Sequence, residues 1–494
     1  LATFELVRSD WRTYSLDLME DGDYIPGQGD GNTTINVSTL SYEENANRTP
    51  IPYVLPPGIE REQGYGGTQV YYVNEQALTM KVKDLADGDA RAIYKNTSFD
   101  IRKFKKLKMF VHGEKMFEND HLANGDVTVF IRLGSDFTEN YYEYEIPLEI
   151  TPWGVGADST RIWPRNNRME IDLADFVAAK QERNKLFRTG DYSLTVPYET
   201  VVNGRLITVM GTPNLAEVKT IMIGVRNPKK QTLNDGDDML SKSVEVWVNE
   251  LRLTGYDESS GFAARGQMRV QLADLGDVTL SGTYSTPGFG TLEQKVTETQ
   301  RETLYTIDVA TNVDAGKILF PQKWNIKVPV HYDYNLNMAL PEYNPLNPDV
   351  KLKEDLKTYL KKEERDSIRK MTTEMVQRQN VNIMNVRKER NFDKEIKIRP
   401  WDIENLDFSY VYSEVKRRDV DTEFDNEMRH EGEIGYSFKH NPKNFKPFAS
   451  SKHLRSKWLQ LIRDINFTLL PQMFTVRTNV TREMNEFKLR PKSQ

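Results

Sequence analysis

The sequence predicts a mainly β protein: an N-terminal β-sandwich-like soluble domain followed by antiparallel transmembrane β-barrel strands with long extramembrane loops. Three observations lead to this prediction. Short alternating segments separated by turn residues recur over residues 1–255, longer ones follow from residue 256, and no run of eighteen apolar residues could form a transmembrane helix. Alternating strands keep the mean hydropathy low, so 38% hydrophobic and 28% charged residues remain compatible with a membrane barrel.

Residues 1–255 are predicted to form the sandwich. Segments such as 127–133, 142–150 and 244–253 alternate apolar and polar side chains, which is typical of half-buried antiparallel strands. One helix is predicted over residues 173–185, with Asp172 as its N-cap and with Leu173, Phe176 and Val177 facing inward.

The longest alternating segment covers residues 324–340, whereas strands of soluble proteins average about 5–6 residues and a membrane strand needs about 9–11. We predict that one side faces lipid and that the other can face the lumen. The lipid side carries Trp324, Ile326, Val328, Val330, Tyr332, Tyr334, Leu336, Met338 and Leu340, and the lumen side carries Lys327, His331, Asp333 and Asn335. A long edge strand of a soluble sandwich is the alternative, and Pro329 is more compatible with an edge than with a central position.

The remaining sequence is assigned by the same pattern. Residues 256–340 are predicted to be transmembrane strands, and residues 401–494 to be further transmembrane strands with a short helix at 453–463. Arg477 is out of phase with its apolar neighbours and is predicted to face the lumen. Residues 341–400 are predicted to form a charged, partly helical extramembrane loop, in which Leu352, Leu356, Tyr359 and Leu360 share one helical stripe.

No residue pattern predicts catalysis, so we expect neither an enzyme nor a cofactor. The chain has no Cys, which excludes thiol catalysis, disulfides and thiolate metal sites, and its His residues lack metal-ligand spacing. A net charge of −6 gives no reason to expect nucleic-acid binding. The start at Leu1 suggests a piece of a longer chain. Clustered aspartates could bind calcium or could simply form turns: Asp21/Asp23, Asp87/Asp89 and Asp235/Asp237/Asp238.

A second hypothesis is a secreted, all-β surface protein whose sandwich binds glycan. Residues 244–253 look like the last strand of galactose-binding-like sandwich modules, which use aromatic platforms to bind sugars. Trp11, Trp153, Trp163 and Trp247 are the candidate platforms, with burial in the core as the alternative for each.

Two longer strings, Trp-Asp-Ile-Glu-Asn-Leu-Asp-Phe-Ser-Tyr at 401–410 and Leu-Pro-Gln-Met-Phe-Thr-Val-Arg-Thr-Asn-Val at 470–480, resemble the SprA/Sov family. That family forms the outer-membrane translocon of the type 9 secretion system, and the likeness extends over most of the chain. The resemblance implies an internal portion of a very wide barrel in the bacterial outer membrane, with periplasmic or extracellular soluble parts, that exports folded cargo proteins. It implies as partners outer-membrane lipid, a FadL-like barrel protein, a plug protein and the remainder of the same translocon chain.

Overall fold

In a computed structural model, the structure describes residues 11–14, 18, 33–66, 69–229, 238–294, 300–359, 361–390, 398–450 and 456–491. The chain divides into two compact units. Unit 1 comprises Leu1–Glu258 and Asn347–Lys351, and unit 2 comprises Ser259–Leu346 and Leu352–Gln494. The predicted domain boundary, residue 255, lies within the closing residues of unit 1.

The described strands, in chain order, are β1 (Arg12–Thr13), β2 (Thr34–Ser41), β3 (Gln63–Gly66), β4 (Gln69–Tyr72), β5 (Gln76–Leu85), β6 (Ala90–Phe99), β7 (Phe104–Lys115), β8 (Thr128–Gly134), β9 (Tyr141–Pro147), β10 (Met169–Asp172), β11 (Tyr198–Val202), β12 (Arg205–Met210), β13 (Val218–Arg226), β14 (Lys242–Tyr256), β15 (Ala263–Leu272), β16 (Gly276–Ser285), β17 (Glu302–Asp314), β18 (Ile326–Lys327), β19 (Pro329–Pro341), β20 (Tyr343–Asn344), β21 (Asn347–Lys351), β22 (Glu374–Lys388), β23 (Leu406–Arg418), β24 (Thr422–Lys439) and β25 (Met473–Leu489). The α-helices are α1 (Tyr42–Asn45), α2 (Ser159–Ile162), α3 (Leu173–Thr189), α4 (Gly316–Leu319), α5 (Leu352–Thr358), α6 (Lys362–Thr372) and α7 (Gln460–Arg463).

Unit 1 is a sandwich of two antiparallel sheets. One sheet has the strand order β1-β6-β13-β8-β9-β12-β11, and the other has the order β10-β7-β14-β5-β2. Because side chains alternate along a strand, Tyr142 and Ile146 of β9 enter the main core, while Glu143 and Glu145 between them lie on the outer face. The main core draws on both sheets, as a sandwich requires. The predicted mainly β fold with a sandwich is therefore confirmed for this part of the chain.

Helix α3 begins where the sequence predicted and extends four residues further, to Thr189. Leu173 and Phe176 are buried, as expected from their spacing, and Val177 packs against the main core. Asp172 occupies the N-cap position, but its side chain makes no capping hydrogen bond. The helix ends at Gly190, whose left-handed φ of 82° closes the last turn.

Strand β21 returns the chain to unit 1 about ninety residues after that unit's main segment ends, and Asp349 fixes it there. The Asp349 carboxylate accepts hydrogen bonds from the Tyr142 hydroxyl at 2.6 Å and from the Leu215 backbone N–H at 2.6 Å. It also pairs with the Lys180 ammonium at 2.7 Å, and that ammonium donates to the Pro213 carbonyl. A buried carboxylate this well partnered defines one docked position for β21.

Unit 2 contains an antiparallel sheet with the strand order β15-β16-β17-β19-β22-β23-β24-β25, and β18 pairs with β22. The eight strands in this order are 10 to 18 residues long. In the described residues this sheet is open, with β15 and β25 as its edges, so no closed barrel is present. Among those same residues, no helix is both long enough and apolar enough to cross a membrane.

Residues 341–400 were predicted to be a charged, partly helical extramembrane loop, and the structure places helices and a strand there. Two helices, α5 and α6, form there, and β22 contributes a full strand to the sheet. Leu352 and Leu356 lie in α5, Tyr359 follows it, and Leu360 is outside the described residues. Near the C-terminus, a 3-10 turn (Lys457–Leu459) and α7 occupy part of the predicted helix, whose first residues are likewise outside the described part.

Candidate functional site

The sheet of unit 2 has two chemically different faces, and we take it as the candidate functional surface. Directly paired residues share a face, so the strand register shows which side chains lie together. Tyr334 pairs with Val309 of β17, which pairs with Leu280 of β16, which pairs with Met268 of β15. The same register places Tyr410 on this face, between Ile383 and Gly432. We call it the apolar face.

The apolar side chains form a band that slants across the strands. On β19 the band extends from Val330 to Leu340, whereas on β23 it covers Leu406 to Tyr412 and on β25 Phe474 to Val480. The register aligns Val330, at one end of the β19 segment, with Tyr410 and Val480, so the band is displaced along the strand direction from one side of the sheet to the other. Polar residues follow it on the same face: Gln377, Gln379, Glu414, Lys416, Arg418, His430 and Arg482.

The opposite face is polar and hydrogen-bonded across its strands. His331 lies 2.7 Å from the Asp333 carboxylate and 2.6 Å from the Asn312 amide oxygen. Asn335 donates to Asp308 and accepts from the Asn337 amide. Farther across the sheet, Arg417 pairs with Asp425 and Glu427. We call this the polar face.

The structure places most, but not all, of the predicted site residues on one strand. Val330, Tyr332, Tyr334, Leu336, Met338 and Leu340 are in β19 on the apolar face, and His331, Asp333 and Asn335 are in β19 on the polar face. Arg477, on β25, is also on the polar face, 3.7 Å from Glu433. Whether the two faces contact lipid and a lumen stays a prediction.

The strand predicted over 324–340 is interrupted at its start. Trp324 ends a 3-10 turn (Gln322–Trp324), and Asn325 adopts a left-handed φ of 51° that breaks the extended chain. Ile326 and Lys327 form the separate strand β18, and Val328 lies between β18 and β19. The alternation of apolar and polar residues continues through Asn325, so the sequence pattern did not reveal this break in the strand.

Unit 2 lacks an apolar core in its described residues. The three hydrophobic clusters all belong to unit 1, and Leu352 of α5 is the one hydrophobic residue of unit 2 that is fully buried in the described part. On the edge strand β25, Phe474 is 54% exposed and Val480 is 74% exposed. A soluble sheet normally covers its apolar face with a second layer, and no second layer covers this one among the described residues.

The four tryptophans that were candidate glycan platforms, with burial in the core as the alternative, differ in exposure. Trp163 and Trp247 are buried in a cluster on the outer face of the five-stranded sheet, their rings 6.2 Å apart. Trp11 packs against the main core, and Trp153 is 36% exposed. Burial of an aromatic ring removes the face that stacks on a sugar, which excludes Trp163 and Trp247 as platforms.

Charged groups beside this tryptophan cluster are buried and paired. Arg48 contacts Glu114 at 2.7 Å and Glu245 at 2.9 Å, and its guanidinium lies 5.1 Å from the Trp247 ring centroid. Burial raises the pKa of Glu114 to about 7, with Glu245 adding to the rise and Arg48 opposing it. Burial lowers the pKa of His112 to about 3, so this imidazole is neutral near pH 7.

The predicted calcium clusters do not assemble in the described residues. No group of three His, Asp or Glu side chains suited to a metal is found among them. Asp89 instead pairs with Arg91 at 2.7 Å. Asp21, Asp23, Asp235 and Asp237 lie outside the described residues, while Asp238 pairs with Lys242 at 2.8 Å.

Sequence reasoning missed β22 and therefore its contribution to the apolar face. Val381 and Ile383 lie between Tyr332 and Val330 of β19 on one side and Tyr412 and Tyr410 of β23 on the other. Two glutamines, Gln377 and Gln379, occupy apolar-phase positions and interrupt the alternation. Gln379 hydrogen-bonds Glu414 on β23, a cross-strand partnership that the sequence of one strand cannot reveal.

Comparison with known proteins gives one family and a distant structural likeness. A family 11 carbohydrate-binding module of the cellulosomal cellulase Lic26A-Cel5E of Clostridium thermocellum is 10% identical, with a TM-score of 0.24, over 51% of this chain and 92% of the module. No curated protein matches the chain. The SprA_N family, described as a motility related/secretion protein, matches residues 1–356. That match covers more than half of the sequence, and the chain therefore belongs to the SprA_N family of motility- and secretion-related proteins.

Proposed function

We propose that this chain forms part of a very large outer-membrane translocon that exports folded proteins by the type 9 secretion pathway. In this proposal the sheet of unit 2 lies in the bilayer, with its apolar face against acyl chains and its polar face toward an aqueous conduit. The sandwich of unit 1 lies in the periplasm or outside the cell. The observation that carries the proposal is the slanted, uncovered apolar band.

The dimensions of the band agree with a bilayer. Strand β19 is 13 residues long, and a tilted membrane strand needs about 9–11. Strands of a membrane barrel are tilted by about 35–45°, so the lipid-facing segment is displaced from each strand to the next. The displacement from Val330–Leu340 on β19 to Phe474–Val480 on β25 follows this rule.

In this proposal, further strands continue the sheet at its two edges. Backbone N–H and C=O groups cannot remain unpaired in hydrocarbon, so β15 and β25 need neighbouring strands in a bilayer. The proposal assigns those strands to the remainder of the same translocon chain. From the family resemblance it further assigns a FadL-like barrel protein and a plug protein as partners at the conduit, and exported proteins as cargo.

Because the chain has no Cys, single-cysteine variants can test the orientation of the sheet directly. Leu336→Cys and Asn335→Cys change adjacent residues of β19 that point to opposite faces. In native envelopes, a lipid-soluble maleimide should label the Leu336→Cys variant, while a charged, water-soluble maleimide should label the Asn335→Cys variant. Cell-envelope fractionation of the same samples should place both variants in the outer membrane.

Two results would contradict the proposal. Equal labelling of both variants by the water-soluble reagent would mean that the apolar face is in water. Recovery of the chain as a detergent-free soluble monomer would contradict the bilayer assignment independently.

A further inference from the structure

A cavity of about 1000 Å³ lies at the end of the unit 2 sheet where β23 turns into β24. Five cationic side chains line it. Three of them come from separate elements, namely Lys370 of α6, Arg418 at the end of β23, and Arg490, which follows β25, and the other two are Lys416 and Arg417 of β23. The backbone N–H of Arg490 donates to the Asp421 carbonyl at 2.8 Å, which holds this part of the chain against the β23–β24 turn. Residues from three separate elements thus converge on one space.

The cations of this cavity outnumber the carboxylates in its lining by five to two. Among the residues that the structure describes, Lys370, Arg418 and Arg490 take part in no ion pair, and the Nε atoms of both arginines are buried without a hydrogen-bond partner. The other charges of the lining have direct partners: Glu423 pairs with Lys488 at 2.8 Å, Lys416 with Glu414 at 2.8 Å, and Arg417 with two carboxylates on the polar face. Lys370 and Arg490 also act electrostatically on Glu423. Asp421 is the second carboxylate of the lining, so positive charge remains in excess.

Buried N–H donors without partners are uncommon in folded proteins, and each calls for an explanation such as a bound ion. The planar guanidinium group matches phosphate with two parallel hydrogen bonds, and a lysine adds a third, mobile donor. We propose that this cavity binds a phosphate group, held by Arg418, Arg490 and Lys370. The proposal concerns a ligand site and goes beyond the assignment of the chain to a translocon.

The surroundings of the cations favour an amphiphilic source for the phosphate. Leu346, Met371 and Phe424 form an apolar wall of the same cavity. Arg418 shares the apolar face of the sheet but lies beyond the band, because Glu414 and Lys416 follow Tyr412 along β23. This position, just past a lipid-facing band, is where the headgroups of a bilayer would lie if the proposed function holds. The phosphate chemistry itself does not require that placement.

The test uses the full chain in dodecyl maltoside, which carries no charge, with calorimetric titration of two probes. One probe is inorganic phosphate and the other is dihexanoyl phosphatidic acid below its micelle concentration. Arg418→Gln with Arg490→Gln should weaken binding of either probe by about tenfold or more, since each lost contact is a charge-assisted hydrogen bond. The matched control, Arg265→Gln with Arg378→Gln, removes two exposed arginines of the same sheet that lie outside the cavity and should bind as the wild type does.

Each outcome decides the question. Tighter binding of the lipid than of inorganic phosphate identifies a headgroup as the source, and equal binding identifies a small phosphate. Absence of saturable binding to both probes, or equal loss in the two double variants, overturns the site. Ligand-induced shifts of the unfolding midpoint, measured for every variant, show that each one folds. If the double variant does not fold, the binding of both probes is measured with Arg490→Gln alone.

Discussion

Asp349→Ala should destabilise unit 1, although residue 349 is more than ninety positions beyond the end of that unit's main segment. The substitution leaves the Lys180 ammonium buried, with a side chain only 5% exposed, and without its carboxylate at 2.7 Å. Breaking a buried ion pair on one side costs about 3–5 kcal/mol. The Tyr142 hydroxyl and the Leu215 N–H also lose their acceptor, which places the expected loss toward the upper end of that range.

The assay is urea unfolding of the full chain, followed by tryptophan fluorescence, which reports on unit 1 through the buried Trp163 and Trp247. Asp349→Asn can keep an acceptor for the Leu215 N–H, so its free energy of unfolding should decrease less than that of Asp349→Ala. Lys180→Met in the Asp349→Ala background removes the uncompensated charge and should recover part of the loss. Two results would refute the view that this ion pair holds β21. One is a decrease in the free energy of unfolding below about 1 kcal/mol for Asp349→Ala, and the other is no recovery of that free energy in the double variant.

Two further predictions concern the interior of unit 1. The pKa of Glu114 is raised from its ordinary 4.5 to about 7, so the folded state binds a proton more tightly than the unfolded state, and stability should fall as pH rises from about 4.5 to 7. Glu114→Gln should remove most of this fall, up to about 3 kcal/mol, and an unchanged pH profile of the urea midpoint would contradict it. Gly113→Ala should destabilise unit 1 by about 1–3 kcal/mol, because its Cβ would lie 2.4 Å from the buried Leu148 side chain. The control is Gly266→Ala, because a Cβ built at Gly266 has no atom within 4 Å and the substitution should leave stability unchanged. Gly125→Ala would not serve, because the φ of 88° at Gly125 strains any residue with a Cβ.

Sequence periodicity predicted the alternating strands because alternation is a local property. It located the core residues of β8, β9 and β14 and both faces of β19 without any knowledge of their partners. It failed where the information is non-local. The corner at Asn325 depends on a backbone dihedral angle, β22 depends on the Gln379–Glu414 contact across strands, and the docking of β21 depends on Lys180 and Tyr142 far away in the chain.

The phosphate cavity was beyond sequence reasoning for the same reason. Lys370, Arg418 and Arg490 are scattered over about 120 positions, and each one appears in the sequence as an ordinary charge in a charged segment. Only the strand register brings the end of β23 and the end of β25 to the same end of the sheet. The apolar band was easier to predict on each strand separately, but its slant also required the register.

The two units differ in how their apolar side chains are buried, and this contrast supports the proposed membrane location of unit 2. Unit 1 encloses a large core between two sheets, so its fold is complete in water. Unit 2 has long strands that pair in one open sheet, yet its described part has no apolar core. Backbone hydrogen bonds alone contribute little net stability in water, because the unfolded chain bonds to water instead. In the hydrocarbon where the proposed function places unit 2, the same bonds would become indispensable and the apolar face would need no covering layer.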